Sequence, residues 1–229
     1  FTRARAVIAH SDAARAVLIA HHRLAPENVH VIPHGDLSGP LGEPLPRADA
    51  ARQLDLPAGP VCLMFGTVEP YKGLEEVLAH WRAAAPAATL VVVGNPCDPE
   101  YAARLTGLAD GLAGVRLHFG WVSDEQLRVW LSAAAAVLFN YRQIFTSGAA
   151  SLARSWGVPI LIPRRLYTVD LAEPSPLVQR FETLATDFPA ALATALSTAP
   201  SFAAAAEWRA ATAWARHSAA AAKLGAVLS

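Results

Sequence analysis

Val61-Cys62-Leu63-Met64-Phe65-Gly66-Thr67-Val68-Glu69-Pro70-Tyr71-Lys72-Gly73 runs directly into Leu74-Glu75-Glu76-Val77-Leu78-Ala79-His80-Trp81. The opening apolar run has the length of a strand, and Leu74, Val77, Leu78 and Trp81 fall at helical spacing. Strand, turn and amphipathic helix in that order make the repeating unit of a parallel α/β sheet. The same beat recurs downstream. Leu90-Val91-Val92-Val93-Gly94 is apolar on both faces, as a parallel strand covered by helices must be, and a helix is predicted from Pro99 to Leu112. Val115 to Phe119 reads as a third strand, followed by a helix with Asp124 near its start. Ala136 to Phe139 is a fourth, with Gly148 to Trp156 as its helix, and Pro159 to Ile162 a fifth. A sixth is expected at Leu177 to Phe181, with Pro174 and Pro176 crowding its start. The expected fold class is α/β, a Rossmann-like doubly wound parallel sheet of about six strands.

Working outward, Ala6 to Ala9 and Val29 to Ile32 read as two further strands separated by an Ala-rich helix from Asp12 to His22. Pro33 to Pro46 holds four Pro and three Gly and reads as a linker. Phe202 to Leu228 reads as one long helix or two, carrying Trp208 and Trp214. The expected division is therefore residues 1–45, the end of an upstream domain plus the linker, then 46–200, the sheet domain, then 201–229, packing helices. Phe1-Thr2-Arg3-Ala4-Arg5 has neither an initiator Met nor an apolar signal core, and is expected to be a cut inside a longer protein.

The chain has 229 residues, 53% hydrophobic and 17% charged, which suits one large domain or two small ones. Lys+Arg 19 balances Asp+Glu 19, so the electrostatic footprint needed by nucleic-acid or anionic-membrane binders is absent, and nucleic acid is not expected as a partner. No apolar run approaches the roughly 20 residues of a transmembrane segment. The two Cys, Cys62 and Cys97, form no CxxC pair and support neither a metal nor a disulfide framework, which suits a reducing cytoplasm. Alanine is about a fifth of the chain, and seventeen of the 19 basic residues are Arg, leaving Lys72 and Lys223 as the two lysines.

In an open α/β sheet, ligands bind beyond the carboxyl ends of the strands. Gly66-Thr67 and Lys72-Gly73 stand at the first such junction, where a helix start and a cation can both face an anion. A solvated turn lysine is the plain alternative. At a second junction, Asn140-Tyr141-Arg142 leads to Thr146-Ser147-Gly148-Ala149, whose hydroxyls and free N–H groups can wrap a phosphate. Arg142 can add a charge-assisted contact, and an ordinary Ser N-cap is the alternative. Gly94-Asn95 and Gly120-Trp121-Val122 are glycine junctions open to a ring or ribose, with Trp121 either a stacking surface or a rim aromatic. No nucleophilic triad, metal-spaced His group or dinucleotide fingerprint is present.

In order along the chain stand Val7-Ile8-Ala9-His10-Ser11, Val31-Ile32-Pro33-His34-Gly35, Phe65-Gly66 with Tyr71-Lys72-Gly73, and Val91-Val92-Val93-Gly94. After them come Phe119-Gly120-Trp121-Val122 ahead of Asp124, and Tyr141 through Ser147-Gly148 to Gly157-Val158-Pro159. Together they resemble the C-terminal, donor-binding half of a GT-B glycosyltransferase, most like family four (group 1), over nearly the whole chain. Relatives carry an Arg where Thr67 stands and a pair of Glu where Ile144 and Leu152 stand. A Tyr followed by Ser-Gly and a small-residue helix is similar to branches that build bacterial exopolysaccharides.

The resemblance implies a nucleoside diphosphate sugar, UDP- or GDP-linked, as donor, with no cofactor and no metal. Its base would lie near Gly120, Trp121 and Val122, within a site that includes Gly66, Thr67, Gly94, Asn95 and Tyr141. Its diphosphate would lie against Lys72 and Thr146, Ser147, Gly148 and Ala149. Lys72 and Arg142 would carry catalysis as fixed positive charge on the leaving group. A ribose deprived of its carboxylate falls to Thr146, Ser147 or backbone groups. A glycan, lipid-linked or small-molecule acceptor would bind through an N-terminal domain upstream of Phe1, so the fragment alone is not expected to turn over. The expected location is the cytoplasm, with the full-length protein peripheral at the inner membrane. Two alternatives stand beside this one. The first is a non-catalytic relative kept as a partner subunit. The second is a sugar-nucleotide epimerase, for which the junctions offer little beyond His118 and Glu69 as acid and base.

Overall fold

A computed structural model describes residues 4–166, 175–213, 217–222 and 225. The chain opens with β1 (Val7–Ala9), α1 (Asp12–His22) and β2 (Val29–Val31), the two strands pairing in parallel as a sheet of their own. Ser11 caps α1 by accepting a hydrogen bond from the Ala14 N–H at 3.0 Å. Ala9, Ala14, Leu18 and Val29 close a small apolar cluster between helix and strands.

A short helix, α2 (Arg47–Gln53), leads into the main sheet. That sheet is built from β3 (Val61–Phe65), β4 (Thr89–Gly94), β5 (Val115–Phe119), β6 (Ala136–Leu138), β7 (Ile160–Pro163) and β8 (Val178–Phe181). Its order is β5-β4-β3-β6-β7-β8, every pairing parallel, so the winding direction reverses between β3 and β6. The doubly wound six-strand sheet expected from the sequence is the observed one. α3 (Leu74–Ala84), α4 (Pro99–Ala109) and α7 (Phe188–Ser197) cover one face, and α5 (Asp124–Ala133) and α6 (Gly148–Trp156) the other.

Period-two alternation along each buried strand divides the core. Cys62, Met64, Leu90 and Val92 pack with Val77, Leu78 and Trp81 of α3, Leu105 of α4 and Phe188 of α7. Leu63, Phe65, Val91 and Val93 point the other way, onto Trp130 and Leu131 of α5 and Leu152 and Trp156 of α6. The apolar character on both faces that marked these strands in the sequence is thus the requirement of two helical layers.

Three features differ from expectation. α2 and α7 were not foreseen, because one is a single short Ala-rich turn pair and the other opens on Phe188-Pro189, a pair that breaks an apolar pattern yet is tolerated in a helix's first turn. α4 stops at Ala109 rather than Leu112, at a turn containing Gly111. The C-terminal stretch is interrupted, with a 3₁₀ turn at Ala203–Ala205, α8 (Ala206–Ala211), a break at Thr212 and helix again over 217–222. Trp214 lies outside the described residues. The Pro/Gly stretch from 33 to 46 is held against the domain, with Leu41 buried in the core and Leu37 packed on it.

Candidate functional site

The reversal between β3 and β6 opens a crevice at the carboxyl ends of these strands, where ligands of this sheet class bind. β3 ends at Phe65, and Gly66 follows with its N–H bonded to the Val93 carbonyl at 3.0 Å. A 3₁₀ turn over Pro70–Lys72 then carries the chain to Gly73 and α3. This turn folds the Lys72 side chain back toward the end of β3. Its Nζ donates to the Phe65 carbonyl at 3.2 Å and lies 5.5 Å from the centroid of the Tyr141 ring. Lys72 is 6% exposed and forms no ion pair among the described residues. Burial lowers its pKa to about 8, with the nearby Glu69 charge acting in the opposite direction.

β6 supplies the facing wall. Asn140, Tyr141 and Arg142 follow it, and Tyr141 is buried with Tyr71 and Phe139 edge-on to its ring, each 5.5 Å away. Burial raises the Tyr141 pKa, so the phenol stays neutral, and its hydroxyl shares a hydrogen bond with Ser147. Ser147 caps α6, its Oγ accepting from the Ala150 N–H at 3.1 Å. Tyr141 therefore links the Lys72 ammonium to the N-terminus of α6, whose first N–H groups carry the positive end of the helix dipole.

The remaining sequence candidates fall into two groups. Thr67 and Asn95 are exposed at the ends of β3 and β4, and Trp121 is 80% exposed beside the partly buried Val122. Gly148 and Ala149 are half-buried at the head of α6. Thr146 and Ser147 line a cavity of about 10 Å³, closed by His10, Pro33, His34, Ser151 and Trp208, with room for a single water at most. Arg142 is held by the first turn of α3. Its Nε donates to Glu76 Oε1 at 3.1 Å, and one terminal nitrogen lies 3.7 Å from Glu75 Oε2. The carboxylates of α3 thus balance the charge that the sequence reading assigned to a phosphate. Gly94 has a second reason to lack a side chain, since a Cβ there would stand 1.9 Å from the Gly66 carbonyl oxygen. Ile144 is half-buried and Leu152 buried, both in the core layer under α6.

Two pairings between distant side chains were not foreseen from the sequence. His10 and His34 stack with centroids 4.2 Å apart, and burial together with the charges of His10 and His217 depresses the His34 pKa. Asn140 and Glu76 meet at 3.1 Å, although 64 positions separate them. Neither meeting has a signature in local spacing. His118, an acid/base candidate, instead packs its ring 5.3 Å from Trp130. Among the described residues no group of three or more His, Cys, Asp or Glu side chains is arranged to hold a metal ion. None of the described helices is long and apolar enough to cross a membrane.

No family model matches the chain. Over 102 residues, 44% of the chain, it is 32% identical to a GDP-mannose:glycolipid 4-beta-D-mannosyltransferase of Xanthomonas campestris pv. campestris, and it spans 29% of that relative's length. Its backbone matches sucrose-phosphate synthase of Thermosynechococcus elongatus with a TM-score of 0.75 at 24% identity, covering 97% of this chain and 58% of that one. It also matches Anabaena HepE in complex with UDP-glucose, with a TM-score of 0.72 at 17% identity, covering 97% of this chain and 64% of that one. The fold is thus a Rossmann-like domain of the GT-B type, the architecture that the ordered motifs implied.

Proposed function

We propose that the chain is the donor-binding half of a sugar-nucleotide-dependent glycosyltransferase. The Lys72 ammonium carries this reading. A buried cation is costly unless paired, yet Lys72 receives one carbonyl and a ring face. A diphosphate at the crevice supplies the missing charge, and the N-terminus of α6 stands across Tyr141 to share it. In the reaction, the bond from the anomeric carbon to the β-phosphate oxygen breaks and the acceptor oxygen takes its place. The acceptor's proton leaves to a base on the acceptor side. Charge grows on the departing diphosphate, where Lys72 and the α6 N–H groups stabilise it without a metal.

The donor is UDP- or GDP-linked, with its base beside Trp121. The mannosyltransferase relative names GDP-mannose and a glycolipid, which supports a guanosine donor and a lipid-linked or glycan acceptor. The neighbour that holds UDP-glucose keeps uridine in play. The acceptor domain belongs upstream, and the whole protein works in the cytoplasm, peripheral at the inner membrane.

One observation favours the non-catalytic alternative. Arg142 is paired with α3 carboxylates and Thr67 replaces a cation, so among the described residues the cations left there without a carboxylate partner are Lys72 and Arg165, the latter donating to the Tyr141 carbonyl at 2.9 Å. Calorimetry with UDP-glucose and GDP-mannose separates the readings through the Lys72 proton. In the folded chain its pKa is about 8, against an ordinary 10.5. Between these values the unfolded chain holds more protons, so this group makes folding stability rise with pH across that window. Donor affinity runs the opposite way, falling as pH rises through 8, because the ammonium is what attracts phosphate. At pH 8, in two buffers of different ionisation enthalpy, binding should take up roughly half a proton per nucleotide. Absence of heat with both nucleotides at millimolar concentration would favour the non-catalytic subunit.

A further inference from the structure

We propose that Asn140 and Glu76 are positioning residues, forming a bracket that holds the Tyr71-Lys72-Gly73 turn against the end of β6 and so sets Lys72 opposite Tyr141. The inference rests on the reading of this crevice as a phosphate site. Two bonds join the turn and the β6 end, flanking the functional pair. On one side the Arg142 N–H donates to the Tyr71 carbonyl at 2.6 Å. On the other, Asn140 Nδ2 donates to the Gly73 carbonyl at 3.1 Å. Lys72 lies between Tyr71 and Gly73, and Tyr141 between Asn140 and Arg142. Fixing the outer residues of the two tripeptides leaves the central ones facing each other.

Glu76 completes the bracket from the first turn of α3. Its Oε2 accepts from Asn140 Nδ2 at 3.1 Å and its Oε1 from Arg142 Nε at 3.1 Å, one carboxylate oxygen for each end of the β6 tripeptide. The Asn140 side chain is buried, 2% exposed, so both of these acceptors satisfy a donor group that has little access to water. The fit leaves no slack. Gly73 begins α3 at φ +65°, and a Cβ there would stand 2.7 Å from both Asn140 Nδ2 and the Asn140 carbonyl and 2.8 Å from Glu76 Oε2. A backbone that must be glycine to admit two particular side chains is shaped around them. Arg142 then acts as the outer tie of the bracket, which accounts for its pairing with α3.

Positioning and plain stabilisation differ in what they do to Lys72. Lys72 is one of two lysines in the chain, so its ammonium and Cε resonances are assignable by comparison with Lys72→Arg. In Asn140→Ala and in Glu76→Gln, held at a temperature where each is folded, the Lys72 resonances should shift and its titration midpoint should move without any nucleotide present. UDP or GDP should then bind about tenfold more weakly to Asn140→Ala, and about threefold more weakly to Glu76→Gln, where one of the two acceptor oxygens is lost. Glu76 is half-exposed, so its variant keeps the test alive if Asn140→Ala does not fold. Unchanged Lys72 resonances in folded variants would overturn the proposal. Shifted resonances with no nucleotide binding even in the unaltered chain would uphold the bracket and sink the phosphate-site reading instead.

Discussion

Lys72→Met is expected to weaken nucleoside diphosphate sugar binding by about 10- to 150-fold, the range that corresponds to a charged hydrogen bond of about 1.5–3 kcal/mol. The same change should leave the melting temperature equal or higher. Lys72 is 6% exposed, and its ammonium is held below its ordinary pKa by burial, which means the folded chain pays to keep it charged at neutral pH. Methionine fills a similar unbranched volume without that cost. Opposite signs in affinity and stability are the mark of a residue retained for a ligand. A buried lysine with no ligand role would give the same change in stability but leave affinity unchanged. Titration calorimetry and thermal denaturation on the same preparation check both halves.

Gly94→Ala is expected to cost about 3 kcal/mol or more, from backbone strain and overpacking together. In a chain of this size that lowers the melting temperature by roughly 6–12 °C, or prevents soluble expression. Gly94 ends β4 at φ +147°, and a Cβ would meet the Gly66 oxygen at 1.9 Å and its carbonyl carbon at 2.7 Å. Neither backbone can retreat. The Gly66 N–H is bonded to Val93 at 3.0 Å, and the Gly94 carbonyl accepts from the Gly120 N–H at 3.0 Å. The substitution therefore disturbs three strand ends that frame the crevice at once. Thermal denaturation of the purified variant measures it, and a melting temperature within 2 °C of the parent would contradict the geometry.

The sheet was legible because burial on both faces forces a continuous apolar run, as in β3, β4, β6 and β7, while the edge strand β5 alternates Val115, Leu117 and Phe119 with exposed Arg116 and His118. The crevice was legible too, since strand order determines where it opens. Lys72 stood out for a compositional reason: where arginine serves nearly everywhere, a lysine at a strand-to-helix junction is conspicuous. What sequence could not show was which charge meets which. Arg142 reads as a phosphate cation until α3 places Glu75 and Glu76 beside it, and helical phase alone does not reveal that α3's first turn faces the end of β6. Gly94 was read as an opening for a ligand, and local spacing gave no sign of its second constraint, the Gly66 carbonyl standing where a Cβ would go. Asn140 carried no local signature, because its two acceptors come from a segment more than sixty positions away.

The central claim is that a nucleoside diphosphate occupies the crevice between β3 and β6. Amide and lysine resonances followed during titration with UDP and with GDP test it most directly. The predicted result is saturable perturbation confined to Gly66, Thr67 and Lys72, to Gly120, Trp121 and Val122, and to Thr146 through Ala149, with the Lys72 side chain among the largest shifts. Perturbation centred elsewhere, such as the groove of Leu112, Val115 and Leu117 beside the edge strand β5, would contradict it, as would no perturbation at millimolar nucleotide.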